Sequence, residues 1–450
     1  MNSRRNFLRN CCSLGAAGAS VHLSRLGLIS AHAQSIPTPN YKALVCIFLF
    51  GGNDGNNTII PLSAGGYGAY QAMRPNIALA ANTLRPVSAA GVPYGLHPRL
   101  QNIQALYNAN KAAMVFNVGM LVQPTTKAAL RNGTAAAPRN LYSHSDQTLQ
   151  WQTSNPMGPG LGWCGRVADV MSNQNATTFP LSVSVQGNAA QLQGLNTRPI
   201  NLSPGAQFGL RRFGDGRAMD AREAGLQQVL TFDTGMQMIA AASGVMQRAV
   251  TGAQEINRAL QSGGALTTVF PQTNLGRQLE QVAKVMQVRS QLGMNRQIFF
   301  CGMGGFDNHS DQLPSHDNLM GQIDAAVQAF YTATGELGVV DNVTTFTESE
   351  FGRTGNPSSS NGSDHAWGSH HFVLGGKVNG GRAFGTFPTL ELQGPDDAGN
   401  RGLWIPTSSL EQYAATLASW FGVGAGDVQN VFPNLRNFLA STQNMGFLRA

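Results

Sequence analysis

Histidines and acidic residues that could hold a metal ion concentrate in the last third of the chain. Five of the seven histidines that follow residue 33 lie between His309 and His371. Acidic residues stand beside them, namely Asp307, Asp311, Glu348, Glu350 and Asp364. Imidazole and carboxylate together suit Zn²⁺, Mn²⁺ or Fe, whereas carboxylates alone would suit Mg²⁺ or Ca²⁺. The composition of this region therefore predicts a divalent metal site.

Asp307 and His309 are the first candidate ligands. They close the glycine-rich segment Gly304–His309, which follows a short apolar run. An Asp-x-His sequence at the end of a strand can direct both side chains into one cleft. A turn in which Asp307 caps the backbone and His309 packs nearby is the equal alternative.

A second group of candidates surrounds Asp364 and His365. His370 and His371 follow closely, so three histidines lie within seven residues. Neighbouring side chains on an extended strand point to opposite faces, but on an irregular loop both could reach one metal ion. Three histidines this close together favour a metal role over packing in the core.

Glu350 and Arg353 follow another apolar run, within Glu348–Arg353. A glutamate here could bind a metal ion or hold a metal-binding histidine in place. Arg353 could bind a substrate anion through two parallel hydrogen bonds, or it could form an ion pair within the structure.

Asp54 lies in the segment Gly51–Asn57, directly after the first strongly apolar run. This segment lacks the lysine of a phosphate-binding loop, and its glycines do not have the spacing of a dinucleotide-binding site. Asp54 is therefore either a metal ligand or a turn residue.

Ser143 is the candidate nucleophile, in the polar segment Tyr142–Asp146. A hydroxyl group here could be activated by a metal ion. The alternative is a helix N-cap, with Ser143 or Ser145 opening a helix that runs through Trp151. The chain has no Gly-x-Ser-x-Gly segment that would indicate a hydrolase triad.

These candidates must be positioned by alternating strands and helices. Short apolar runs predict buried strands at Ala43–Phe50, Ala113–Val118, Leu181–Val185, Gln297–Cys301, Val343–Thr347 and Phe372–Leu374. Helical patterns separate them at Arg99–Asn110, 218–260, Leu279–Leu292, Asn318–Leu337 and Leu410–Trp420. This alternation predicts a three-layer α/β/α sandwich with a mostly parallel central sheet. Residues 188–270 are Gln- and Gly-rich and predict a helical insertion or cap within one domain, residues 34–450.

The N-terminus predicts export. Arg4 and Arg5 precede a weakly apolar run that ends in Ala31-His32-Ala33, a triplet typical of signal peptidase cleavage. Residues 1–33 are therefore a predicted twin-arginine signal peptide, recognised by the twin-arginine translocase. The mature chain would begin at Gln34 and work in the periplasm or outside the cell.

Charge and hydropathy exclude two classes of partner. The formal charge of +7 falls by four to +3 when the four arginines of residues 1–33 are removed. That charge, without a dense basic stripe, argues against nucleic-acid binding. No later stretch has the length and apolar character of a stable membrane span. The cysteines after residue 33, which are Cys46, Cys164 and Cys301, allow at most one disulfide.

The order of these motifs resembles a bacterial family known as domain of unknown function 1501, over about 42–423. The resemblance rests on Phe50–Gly55, Leu96–Pro98, Asn117–Gly119, Gly162–Arg166, Gly304–His309, Ser349–Thr354 and Asp364-His365. The family is similar to the alkaline phosphatase and sulfatase superfamily, which implies an α/β/α sandwich with metal ions at the strand ends.

The resemblance also implies roles for individual residues. Asp54 would bind the first metal ion, and Ser143 would be the nucleophile. The metal ligands would be completed by Asp307, His309, Asp364, His365 and His370 or His371, with Glu350 as a further ligand at its strand end. The chain lacks a Cys/Ser-x-Pro-x-Arg sequence, which argues against a formylglycine sulfatase.

The prediction is therefore a metal-dependent periplasmic hydrolase of phosphate or sulfate esters, with an anionic small molecule or polymer as substrate. Arg353 would contact the anion. The alternative is a non-catalytic exported binding or assembly protein that keeps the sandwich and has at most a structural metal.

Overall fold

The computed structural model of the protein describes residues 40–205, 208, 217–232 and 235–449. The predicted signal peptide, residues 1–33, lies outside the described residues.

A large sheet forms the middle layer of the molecule. The strands are β1 Lys42–Leu49, β2 Ile59–Pro61, β3 Arg85–Ala89, β4 Val92–Leu96, β5 Ala112–Gly119, β6 Ser182–Ser184, β7 Ile200–Asn201, β8 Arg296–Met303, β9 Val343–Glu348, β10 Ser369–Gly375, β11 Ala383–Phe384 and β12 Ser408–Ser409. Across the large sheet the order is β11-β5-β10-β9-β1-β8-β6-β7, and β12 also pairs with β5. Strands β2, β4 and β3 form a small antiparallel sheet beside it.

The large sheet is mostly parallel, as predicted. Strand β1 pairs in parallel with β8 on one side and with β9 on the other. Residues 43–49 of β1 are buried, which explains why this strand is a continuous apolar run and not an alternating one. Strand β10 is the exception, because it runs antiparallel to both β5 and β9.

Helices cover both faces of the sheet. They are α1 Gly55–Thr58, α2 Ala64–Met73, α3 Gln101–Asn108, α4 Lys127–Arg131, α5 His144–Thr153, α6 Trp163–Met171, α7 Arg217–Thr231, α8 Gln237–Ser262, α9 Asn274–Gln287, α10 Gln312–Glu336, α11 Leu410–Phe421 and α12 Ala425–Val431. Helices α3, α9 and α10 pack together, and α6, α11 and α12 form a second group. The central strands are buried on both faces, so the architecture is the predicted three-layer sandwich.

The predicted insertion, residues 188–270, contains a helical hairpin. Helices α7 and α8 pack against each other, and the second half of α8 lies against Ile200 of the edge strand β7. Because β7 belongs to the large sheet, the region is continuous with the sandwich at this edge. Its role as a cap stays a prediction.

Two further findings bear on the sequence-based expectations. Cys46, Cys164 and Cys301 are buried and free, so none of them pairs with another. Within the described part of the chain, no helix has both the length and the apolar character needed to cross a membrane.

Candidate metal centre

Residues from three neighbouring strand ends and one helix start converge at the carboxyl edge of the sheet. Asp307 follows β8, Glu350 follows β9, and Gly51 follows β1, which lies between these two strands. His144 is the first residue of α5, and His365 lies on the loop before β10. Parallel strands end at the same edge, so residues distant in sequence meet there.

Three of these residues form a group that could hold a metal ion. One ligand atom each from His144, Asp307 and His365 lies within 4.8 Å of the other two. Nε2 of His144 is 3.3 Å from Oδ2 of Asp307, and Nε2 of His365 is 3.2 Å from Oδ1. Nε2 of His144 is buried and has no hydrogen-bond partner. Two imidazoles and a carboxylate fit the ligand preferences of Zn²⁺, Mn²⁺ and Fe.

The hydrogen bonds around the two imidazole rings decide which nitrogen is free. Nδ1 of His365 lies 2.8 Å from the carbonyl oxygen of Tyr142, which can only accept, so this nitrogen carries the proton. Nδ1 of His144 lies 2.9 Å from Oε1 of Glu350 and donates to that carboxylate. Both rings therefore present the Nε2 lone pair to Asp307, as metal-binding histidines do.

His309 repeats this arrangement. Its Nδ1 lies 3.0 Å from Oδ1 of Asp364, and its Nε2 is 2.9 Å from Oδ1 of Asp307. The Nε2 atoms of His309 and His365 are 3.1 Å apart. In the neutral rings two lone pairs would face each other, an arrangement that a shared proton or a bound cation stabilises. His309 therefore lies beside the group of three, with Nε2 close to Asp307 and His365.

Electrostatics keep Asp307, Asp364 and His365 in the protonation states that bind metals, whereas the hydrogen bond from His144 to Glu350 raises the pKa of His144. Burial alone would raise the pKa of Asp307, but the hydrogen bond and charge of Arg353 outweigh it and bring the pKa to about 2. Burial would also raise the pKa of Asp364, but Arg401 and His309 lower it. Burial lowers the pKa of His365 and favours the neutral ring. At neutral pH the carboxylates are ionised and this imidazole can accept a metal ion.

Glu350 and Asp364 each bond to Nδ1 of one histidine, on the side of the ring away from Nε2. Glu350 is buried, and its Oε1 accepts hydrogen bonds from the backbone N–H of Gly51, at 2.7 Å, and from His144. Asp364 contacts His309 and Arg401. Both carboxylates are placed to orient an imidazole, which was one of the two roles open to Glu350 in the sequence.

Arg353 is buried and bonded to the backbone. Its guanidinium donates to the carbonyl oxygens of Gly51, Gly52, Phe306 and Ser363 at distances from 2.6 to 3.0 Å, and to Oδ1 of Asp307 at 2.5 Å. Its side chain is only 1% exposed. The structure therefore places Arg353 as an internal ion-pair partner and not in contact with the cleft.

Asp54 and His371 lie apart from the cluster. Asp54 is 2% exposed, and its Oδ2 forms an ion pair with Arg74 at 2.5 Å and accepts a hydrogen bond from Gln312. His371 lies on β10, buried between Trp151 and Tyr413. Burial lowers its pKa to about 3, so it is a neutral core residue. Neither residue belongs to the ligand set that the structure brings together.

Ser143 caps α5. Its Oγ accepts a hydrogen bond from the backbone N–H of Asp146 and donates to the carboxylate of Asp146 at 2.6 Å. The hydroxyl group is therefore committed to the helix start, the second of the two roles that the sequence left open.

Replacing Ser143 by Ala should cost about 1 kcal/mol in the free energy of unfolding, because the backbone N–H of Asp146 loses its cap. Chemical denaturation of the variant measures this loss. Ser145→Ala is the matched control, since Ser145 is exposed in the same turn and should change stability by less than about 0.5 kcal/mol. Equal losses for the two variants would contradict the capping role.

An open cleft adjoins the cluster. It has a volume of about 680 Å³, and its walls include Phe50, Thr148, Leu149 and Gln152 as well as His144 and Asp307. This volume is within the range of small-molecule sites. A ligand in the cleft would reach His144 and Asp307 directly.

Most of the chain matches a known protein family. The family described as a protein of unknown function, DUF1501, matches residues 41–398. The chain belongs to this family. No curated protein matches it. The cluster of His144, Asp307, His309 and His365 lies entirely within the part that matches DUF1501.

The solved structures to which the chain is similar include three enzymes. A sulfatase from Pseudoalteromonas sp. is 12% identical over 96% of this chain and 77% of its own, with a TM-score of 0.38. The lipoteichoic acid synthase LtaP from Listeria monocytogenes is 8% identical over 89% and 78%, with a TM-score of 0.33. The phosphonate monoester hydrolase of Agrobacterium radiobacter is 8% identical over 85% and 74%, with a TM-score of 0.30.

His144 is the site residue that sequence reasoning missed in this DUF1501 chain. The segment Tyr142–Asp146 drew attention to its hydroxyl groups, and the imidazole beside them was not considered as a ligand. The signal was a histidine one residue after a predicted N-cap. In that position a side chain is fixed at the start of a helix, where several backbone N–H groups also point outward.

Proposed function

We propose that His144, Asp307 and His365, with His309 as a fourth ligand, bind a divalent metal ion, and that the protein hydrolyses sulfate or phosphate esters. One observation carries the proposal. Three imidazoles whose Nδ1 atoms are bonded elsewhere direct Nε2 towards a single ionised carboxylate. Zn²⁺, Mn²⁺ or Fe suits this donor set.

When bound, such an ion polarises an ester oxygen and lowers the pKa of a water molecule. The chain's own residues hold the three imidazole rings in position. Glu350, Asp364 and the Tyr142 carbonyl fix the three rings, so the donors are preorganised before any ligand arrives.

The order of the motifs supports an ester hydrolase over other metal enzymes, because it resembles the alkaline phosphatase and sulfatase superfamily. The position of Ser143 bears on the nucleophile. Because its Oγ donates to Asp146, we propose that water attacks the ester.

The second candidate is a non-catalytic exported protein that keeps the metal ion. The hydrogen bond from the Ser143 hydroxyl group to Asp146 favours it, because this candidate nucleophile is not free to attack a substrate. Turnover distinguishes the two candidates. For either of them, the predicted twin-arginine signal supports function outside the cytoplasm.

The test is turnover of 4-nitrophenyl sulfate, 4-nitrophenyl phosphate and bis(4-nitrophenyl) phosphate by protein reconstituted with Zn²⁺ or Mn²⁺. We expect hydrolysis of at least one ester, with loss of at least about a hundredfold in His144→Ala. Ser143→Ala should stay active, because the hydroxyl group only caps the helix. Inactivity of metal-loaded protein towards all three esters would favour the binding protein, and selective loss in Ser143→Ala would restore the serine nucleophile.

A further inference from the structure

The three aspartates that the sequence offers as metal ligands already have positive partners. Asp307 is paired with Arg353 and Asp54 with Arg74, each at 2.5 Å, and Asp364 is paired with Arg401. All three partners are guanidinium groups, which stay charged at any pH a folded protein meets. Glu350 is the remaining carboxylate, and it has no arginine among its hydrogen-bond partners.

The pair of Asp54 and Arg74 is the most deeply buried of the three. The side chain of Arg74 is 0% exposed, and its second terminal nitrogen donates to the carbonyl oxygen of Thr354 at 3.2 Å. Asp54 also accepts from the backbone N–H of Asn56 and from the amide of Gln312. Removing Asp54 from these partners would leave a buried guanidinium unpaired, which is strongly unfavourable.

The guanidinium of Arg353 contacts both the strand ends and the carboxylate that the histidines approach. It binds the carbonyl oxygens that follow β1 and β8, and it holds Oδ1 of Asp307. Carbonyl and carboxylate oxygens are also the donors that a cation would seek at these strand ends. Arg353 therefore already donates to oxygen atoms at which a second cation could bind, and it supplies positive charge there.

We propose that this site takes a single divalent cation, because Arg353 and Arg74 hold the carboxylates and carbonyl oxygens that a second ion would need. The inference rests on the proposed function, since it assumes that the histidine cluster binds metal. Four carboxylates and three guanidiniums leave the site close to one negative charge. One divalent ion brings the total to about +1, whereas two ions would bring it to about +3, a large uncompensated positive charge.

The test is titration of metal-free protein with Mn²⁺, followed by electron paramagnetic resonance and by equilibrium dialysis. We expect one Mn²⁺ per chain, with the hyperfine pattern of an isolated ion at saturation. Two ions per chain, or the spectrum of a coupled pair, would overturn the single-ion site but leave the proposed function standing. No bound Mn²⁺ and no bound Zn²⁺ would overturn both.

A double variant, Asp54→Asn with Arg74→Gln, is the matched control. It removes both charges of the buried pair, so no unpaired ion is created, and circular dichroism checks its fold. We expect it to bind one Mn²⁺ with affinity within about threefold of the wild type. Loss of the ion in the folded double variant would identify Asp54 as a ligand and overturn the inference. If the variant does not fold, the stoichiometry of the wild type still decides.

Discussion

Replacing Asp307 by Asn should lower kcat/KM for ester hydrolysis by at least about a hundredfold and remove the bound metal ion. Asp307 is the carboxylate that Nε2 of His144, His309 and His365 all approach, at 3.3, 2.9 and 3.2 Å. An uncharged amide oxygen is a much weaker ligand for a divalent cation. Removing a residue that orients a metal ligand typically lowers metal affinity or activity by about 10–100-fold, so removing a ligand should have a larger effect.

Asp307→Asn removes the charge of the side chain and keeps its shape. Asn is isosteric with Asp, and its amide oxygen can still accept the hydrogen bond from Arg353. Asp364→Asn is the control, because Asp364 orients His309 without approaching the other rings. It should lose activity by a smaller factor, about 10–100-fold. kcat/KM and metal content are measured on the same preparations, and full activity in Asp307→Asn would contradict the assignment.

Replacing Glu348 by Gln should make the protein much more stable at pH 8 and only about 1 kcal/mol more stable at pH 5. Glu348 ends β9 and is completely buried, and burial raises its pKa to about 8 against a weak hydrogen bond from Cys46. In the unfolded chain a glutamate has a pKa of about 4.3. The folded protein therefore favours the protonated form, and one carboxyl oxygen lacks any hydrogen-bond partner.

The direction of the pH dependence follows from these two pKa values. The stabilisation is fully present below about pH 4 and is lost as the pH rises towards 8, at up to about 1.4 kcal/mol per unit. Gln stays uncharged, so the variant escapes this loss, and the difference at pH 8 should be on the order of 4 kcal/mol. Denaturation by urea at pH 5 and pH 8 measures it. Parallel losses in wild type and variant would show that Glu348 is not the buried acid responsible.

Glu411 is the control for this second prediction. It is also buried, and burial raises its pKa to about 7, but Ser154 and Asn434 donate hydrogen bonds to it. Glu411→Gln should therefore reduce the same loss of stability by a smaller amount, over a window that ends one pH unit lower.

Much of the sandwich was predictable because its central strands are buried on both faces. The runs at Ala43–Phe50 and Gln297–Cys301 predict strands that coincide with β1 and β8 to within two residues at each end. The direction of β10 was not predictable. A short apolar run has the same composition in either direction, and the antiparallel pairing of β10 depends on contacts with β5 and β9 far away in sequence.

The candidate site was predictable where its residues directly follow strands. Asp307 and Glu350 follow β8 and β9, and the structure brings them together. The place of Asp54 could not be deduced, because its ion pair with Arg74 depends on how α2 packs. His144 was missed for a related reason. The sequence gives the start of α5, but only the packing of that helix shows that the ring faces Asp307.

The measurement that tests the central claim most directly is elemental analysis of the purified protein, alongside a folded variant that combines His144→Ala and His365→Ala. The account predicts one Zn, Mn or Fe ion per wild-type chain and none in the variant. A well-folded wild-type protein that contains no metal, and binds none when Zn²⁺, Mn²⁺ or Fe²⁺ is added, would contradict it.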